Sequence, residues 1–140
     1  MAITAATPRK TIPNTIRYIE VEAHESLTFY EGGIYCVDGD GYMNSPSDSA
    51  ALIVVGVYTG AQAKEFTTGA TDHDKLQFAQ GVIRIPFSGA AQSDVGEYFF
   101  VSDNGTLTQT AGSKTYAFPC VGWESAGFVW IDFAAPMKVA

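Results

Sequence analysis

The chain is short of charge. Only 16% of its 140 residues are Asp, Glu, Lys or Arg, against roughly 25% in ordinary soluble domains, so part of its surface is expected to be covered in an assembly. Basic residues are scarcer still, 8 against 15 acidic ones. Arg9, Lys10 and Arg17 all fall within residues 1–19, which hold no acid and carry +3; the remainder, with 5 basic and 15 acidic residues, carries −10. Such a body lacks the clustered Lys and Arg that displace counterions from phosphates, which argues against nucleic acid as a partner. No apolar run reaches the ~18 residues of a membrane span, so no membrane partner is expected either. The N-terminus lacks the charged and then apolar segments of a secretory signal, and manufacture and use without export by that route are expected.

Catalytic vocabulary is equally sparse. The two histidines, His24 and His73, sit among polar neighbours in Glu22-Ala23-His24-Glu25 and Asp72-His73-Asp74 and read as solvated side chains. A Gly-x-Ser-x-Gly elbow is absent, because Pro86 and Ala90 flank Ser88 two residues to either side. Ser102-Asp103-Asn104 matches a β-lactamase element without the accompanying Ser-x-x-Lys and is better explained as a hairpin turn. Asp38-Gly39-Asp40-Gly41 opens like a calcium loop, but Tyr42 and Ser49 stand where the EF-hand needs its fifth and twelfth positions. Asn104-Gly105-Thr106 fits a glycosylation sequon, relevant only in a secretory compartment. No phosphate-cradling glycine loop occurs. Cys36 and Cys120 are too few for a disulfide framework, lack CxxC spacing and read as buried free thiols. Neither a metal nor another cofactor is expected.

What the chain does have is β-strand material. After residues 1–15, an extended arm rich in Ala and Thr and broken by Pro8 and Pro13, short apolar runs recur at 16–22, 34–37, 52–58, 76–80, 82–87, 97–101 and 128–133. Seven such runs without an amphipathic helix predict an all-β domain over residues 16–140, a small barrel or sandwich. Gly32-Gly33, Asp38-Gly39-Asp40-Gly41 and Asp103-Asn104-Gly105 supply turn residues, the last being the clearest hairpin signal. A faint repeat runs through both halves. Gly33-Ile34-Tyr35-Cys36-Val37, a glycine turn and Val55-Gly56-Val57 are echoed by Gly96-Glu97-Tyr98-Phe99-Phe100-Val101, a glycine turn and Val121-Gly122-Trp123.

Alternation along the strands adds a constraint, since successive side chains point to opposite faces. Phe128, Trp130 and Asp132 share one face of the last run, and Val129, Ile131 and Phe133 the other. Tyr98-Phe99-Phe100 puts large rings on both sides, and residues 52–57 are apolar on both. A two-layer domain has few elements to cover the second face, so an oligomer interface is expected there, with Tyr98, Phe100, Phe128 and Trp130 as candidates.

The order Tyr30-Glu31-Gly32-Gly33-Ile34-Tyr35-Cys36-Val37, Asp48-Ser49-Ala50, Val54-Val55-Gly56-Val57, Val95-Gly96-Glu97-Tyr98-Phe99-Phe100-Val101-Ser102-Asp103, Val121-Gly122 and Phe128-Val129-Trp130-Ile131-Asp132 resembles the capsid-decoration (head cement) proteins of tailed bacteriophages. The resemblance covers about residues 16–133 and rests on turn glycines and strand hydrophobics; the polar stretch 61–74 is longer than the pattern. It implies a β-tulip-like domain without an active site. It further implies a homotrimer on the outer surface of the phage head, clamping neighbouring major capsid subunits and made in the host cytoplasm. On that reading the arm is mobile in solution and orders against the capsid, Arg9, Lys10 and Arg17 facing acidic surface while Ile3 and Ile12 anchor in apolar grooves. The alternatives are a carbohydrate- or receptor-binding β module, head-fibre or lectin-like, stacking sugars on Tyr42, Tyr58 or Trp123, and a β-rich hydrolase with a carboxylate pair.

Overall fold

The computed structural model describes residues 2–23, 27–60, the backbone of 64–65, and 75–139. Thirteen strands are formed among them: β1 (Arg17–Glu22), β2 (Thr28–Phe29), β3 (Ile34–Val37), β4 (Met43–Asn44), β5 (Ile53–Tyr58), β6 (Lys64–Glu65), β7 (Lys75–Gln80), β8 (Val82–Pro86), β9 (Tyr98–Asp103), β10 (Thr106–Thr108), β11 (Tyr116–Glu124), β12 (Phe128–Asp132) and β13 (Met137–Lys138). The helical content of the described residues is two single 3₁₀ turns, Pro13–Thr15 and Gln92–Asp94. The fold is therefore all-β, and it is a sandwich of two antiparallel sheets rather than a closed barrel.

One sheet is ordered β1-β7-β5-β3-β4 and the other β8-β12-β11-β9-β10, with β13 continuing alongside β11. Numbering the five strands of each sheet by chain order gives the same sequence twice: first, fifth, fourth, second, third. The faint repeat is thus a repeat of topology. Both fourth strands carry a bulge at the matching dipeptide. Register slips past Val55 between the pairs Cys36↔Val54 and Tyr35↔Gly56, and past Val121 between Cys120↔Ile131 and Gly122↔Trp130. An extra residue of this kind bends its strand and sharpens the twist. At Gly56 a Cβ would collide with the carbonyl of Ala79 on β7, so the motif glycine is fixed by the close approach of the neighbouring strand.

The sheets meet across one large core. Ile34, Val57 and Ala79 from the first pack with Ile83, Ile85, Phe99, Val101, Phe118, Val129 and Ile131 from the second. A single residue joins the halves: Gly81, between β7 and β8, at φ +130°, where a side chain would strike the carbonyl of Thr15.

A second core lies on the other face of the first sheet. Tyr35, Tyr58 and Phe78, one residue along from Ile34, Val57 and Ala79, pack against Phe29 of β2, with ring centroids 4.6, 6.2 and 6.1 Å from it. β2 pairs with β6, so a two-stranded ribbon caps this face. The second apolar face of 52–57, expected to need a neighbouring subunit, is thus partly covered by its own chain around Val55, while Ile53 at its start stays 44% exposed. Cys36 and Cys120 are both free and buried. Burial, and then the Asp38 carboxylate, push the Cys36 thiol up to about 12, and its Sγ donates to the Asn44 carbonyl at 3.2 Å.

Candidate functional site

Among the described residues no ribbon lies over the outer face of the second sheet. Alternation puts Val129 and Ile131 in the core and turns Phe128 and Trp130 outward, where both are partly exposed. Trp130 stands opposite Gly122 on β11, whose missing side chain leaves room for the indole. Trp130 Nε1 donates to Glu124 Oε2 at 3.0 Å, and the other oxygen of Glu124 meets Arg84 Nη1 at 3.4 Å. The Arg84 guanidinium lies 4.0 Å from the centre of the Phe128 ring, a cation–π contact. These four side chains brace one another across β8, β12 and β11. Farther along the sheet Tyr98 of β9 stands opposite Pro119, and Tyr98, Val121 and Val95 are 39%, 49% and 43% exposed.

Of the four candidate interface rings, Tyr98, Phe128 and Trp130 therefore reach this face with surface to offer. Phe100 does not, because it is only 6% exposed within its own chain and presents no ring to a neighbour. The sugar-stacking candidates divide similarly. Tyr58 is buried in the second core and Trp123 leans on the first, while Tyr42 is partly exposed.

The arm borders the same face. Instead of standing free, residues 3–15 run along the body. Thr11 bridges to Ile83, Arg84 N donates to the Lys10 carbonyl at 2.9 Å, and Ile12 N donates to Val82 at 3.1 Å, so the arm adds a short rung to the otherwise open edge of β8. Thr7 N donates to the Glu31 carbonyl and Arg9 Nε to that of Gly32, tying the arm to the first half as well. At the arm's tip Ile3 N donates to Asn104 Oδ1 at 2.8 Å while Asn104 Nδ2 donates back to the Ile3 carbonyl at 3.1 Å.

This course gathers positive charge. Arg9, Lys10 and Arg84 line one groove together with Thr7, Pro8, Pro86 and Phe128. Burial, and then the neighbouring Arg84, lower the Arg9 pKa, the direction expected when a cation is partly desolvated beside another cation. Lys10 and Ile12 are exposed, Ile3 is half-buried, and Arg17, on β1, is turned to Gln80 Oε1 at 2.9 Å and stands apart from the groove. A cationic, aromatic groove on a chain of net charge −7 can recognise an acidic, partly apolar surface.

Among the described residues the carboxylates do not assemble comparable chemistry. Asp38 Oδ1 accepts from the backbone N–H groups of Asp40 and Tyr42, closing the β3–β4 hairpin. No group of three or more His, Cys, Asp or Glu side chains positioned to hold a metal occurs among the described residues. His24, His73 and the Asp72-His73-Asp74 cluster lie outside them, as does most of the 61–74 stretch. No helix among the described residues is long and apolar enough to cross a membrane.

No protein-family model matches the sequence, and no curated protein matches it. Among solved structures, a chain of "The capsid of Myoviridae Phage XM1" is similar at TM-score 0.57 and 13% sequence identity, over 94% of this chain and 91% of that one. At that identity the likeness is one of fold.

Proposed function

We propose that this chain is a structural protein of a phage virion that binds the outer surface of the head and strengthens contacts between major capsid subunits. The observation that carries the reading is the uncovered outer face of the second sheet. It presents Phe128, Trp130, Tyr98 and Val121 beside the cationic groove of Arg9, Lys10 and Arg84, on a domain whose other sheet covers most of its outer face with a second core. The shared fold with a chain of a phage capsid structure supports the same direction. Many modest contacts repeated over a lattice would supply the stabilisation, without an active site, a metal or a cofactor.

On this reading the arm and the bare face form one contact surface. Arg9 and Lys10 meet acidic capsid surface, Ile12 lies against apolar patches, and Tyr98, with its exposed neighbours, joins copies into a homotrimer. The test is co-sedimentation with purified expanded heads across a salt series, beside sedimentation of the free protein. Saturable binding that weakens as salt screens the groove supports the proposal. Absence of binding at every salt concentration overturns it.

A further inference from the structure

We propose that Asn104 is a deamidation site guarded by the N-terminal arm, and that its conversion to aspartate irreversibly releases the tip of the arm. Asn104 is the one buried polar side chain among the described residues, 8% exposed. It is followed by Gly105, the residue that least obstructs closure of a succinimide ring because it has no Cβ. In that reaction the Gly105 amide nitrogen gives up its proton and attacks Asn104 Cγ, and ammonia leaves. Water then opens the ring to aspartate or isoaspartate, so that one water is consumed for each ammonia released.

The structure restrains both reacting groups. The Asn104 carboxamide is held by Ile3 N on Oδ1 at 2.8 Å, and its Nδ2 donates to the Ile3 carbonyl at 3.1 Å and to Tyr35 Oη at 3.4 Å. The Gly105 N–H is turned to Asp103 Oδ1 at 2.9 Å, and the Asn104 carbonyl is fixed by Ile34 N at 2.8 Å. Ring closure requires the carboxamide to rotate, which breaks its bonds to Ile3. Release of the arm is the opening that permits this. Beside that latch the arm borders two surface clefts, to which Ile3, Thr7, Pro8 and Arg9 contribute.

The product re-forms only half of the latch, since the Ile3 N–H can still donate to a carboxylate oxygen. A carboxylate at position 104 has no hydrogen to donate to the Ile3 carbonyl, sets a negative charge against that oxygen, and must be desolvated to occupy the site. The isoaspartate form also lengthens the backbone of a two-residue hairpin. The site stands whether or not the arm meets a capsid, so its failure would leave the proposed function untouched.

The experiment ages the full-length protein in mildly alkaline buffer, natively and in concentrated urea, and follows Asn104 by peptide mass mapping. The native chain should convert roughly tenfold or more slowly than the unfolded one, the suppression that two ordinary hydrogen bonds provide against local opening. Ile3→Pro, which deletes the N–H donor on an arm outside the core and leaves the Ile3 carbonyl, should speed conversion roughly threefold, one of the two bonds being lost. Equal native and unfolded rates, or an Ile3→Pro rate no faster than wild type, would overturn the guard. For the switch, the Ile3 amide proton of Asn104→Asp should exchange about tenfold faster than in wild type, half of the latch being lost and the carboxylate repelling the Ile3 carbonyl, while the Ile12 amide on Val82 keeps its wild-type protection. Naturally deamidated protein, separated by charge, gives the same readout if that variant does not fold. Wild-type exchange at Ile3 in the deamidated chain would overturn the release.

Discussion

The two sheets are built on one strand order and end in opposite situations. In the first, long connections between β1 and β3 and between β5 and β7 contribute β2 and β6, and the ribbon they form turns the outer face into a second core around Phe29. In the second, the corresponding connections hold only a 3₁₀ turn before β9 and the tight turn between β11 and β12. Among the described residues nothing comparable covers that outer face, which is edged by the arm. Whether an apolar sheet face becomes core or stays exposed is decided here by two loops, since the strands themselves alternate alike on both sides.

The comparison breaks first at its largest expected effect. Phe29→Ala removes the ring around which the second core packs and should cost about 3–5 kcal/mol in urea denaturation while leaving head binding, per folded molecule, unchanged. Phe128→Ala on the open face should cost less than about 2 kcal/mol of stability. It should nonetheless weaken head binding about tenfold or more, as loss of an aromatic anchor does. If the two substitutions exchanged these effects, the assignment of the faces would be reversed. Smaller still, Arg84→Ala removes the cation over Phe128 and the partner of Glu124. It should change stability by about 1 kcal/mol and flatten the salt dependence of binding.

The thiols sharpen the picture of the interior. Both should resist labelling in the native protein near neutral pH and both should react once it is unfolded. Because the folded Cys36 thiol is raised to about 12 from 9.0, the native state holds its proton where the unfolded state loses it. Its contribution is intact below the ordinary thiol value and is lost as pH rises from there toward the folded one. Wild-type stability should therefore fall more steeply than that of Cys36→Ala over the alkaline range, and parallel curves would contradict the assigned environment.

Much of this was legible from short-range signals. The turns at Asp38–Gly41 and Asn104-Gly105, the seven apolar runs and the alternation of 128–133 follow from local backbone preference and period. The Val-Gly dipeptides marked matching bulges. β11, the longest strand, was not among the runs because Pro119 interrupts it. The structure accommodates the proline between Ala117, paired to β13, and Cys120, paired to β12, where the ladder passes from one partner to the other. The ribbon over the first sheet was invisible, since it depends on pairing Thr28–Phe29 with Lys64–Glu65 across more than thirty residues. The arm's docking was missed for the same reason: its partners are backbone carbonyls and one asparagine side chain, which leave no periodic trace. The basic groove was half legible. Arg9 and Lys10 stood out against an acidic body, but only the fold brings Arg84 to them.

The most direct test is side-chain oxidative footprinting of the chain, free and bound to purified heads. Phe128 and Trp130 on the open face should lose reactivity on binding, while Tyr18, 58% exposed on the edge strand of the first sheet, should keep it. Protection of Tyr18 with Phe128 and Trp130 unchanged would contradict the claim that the open face of the second sheet is the one that meets the capsid.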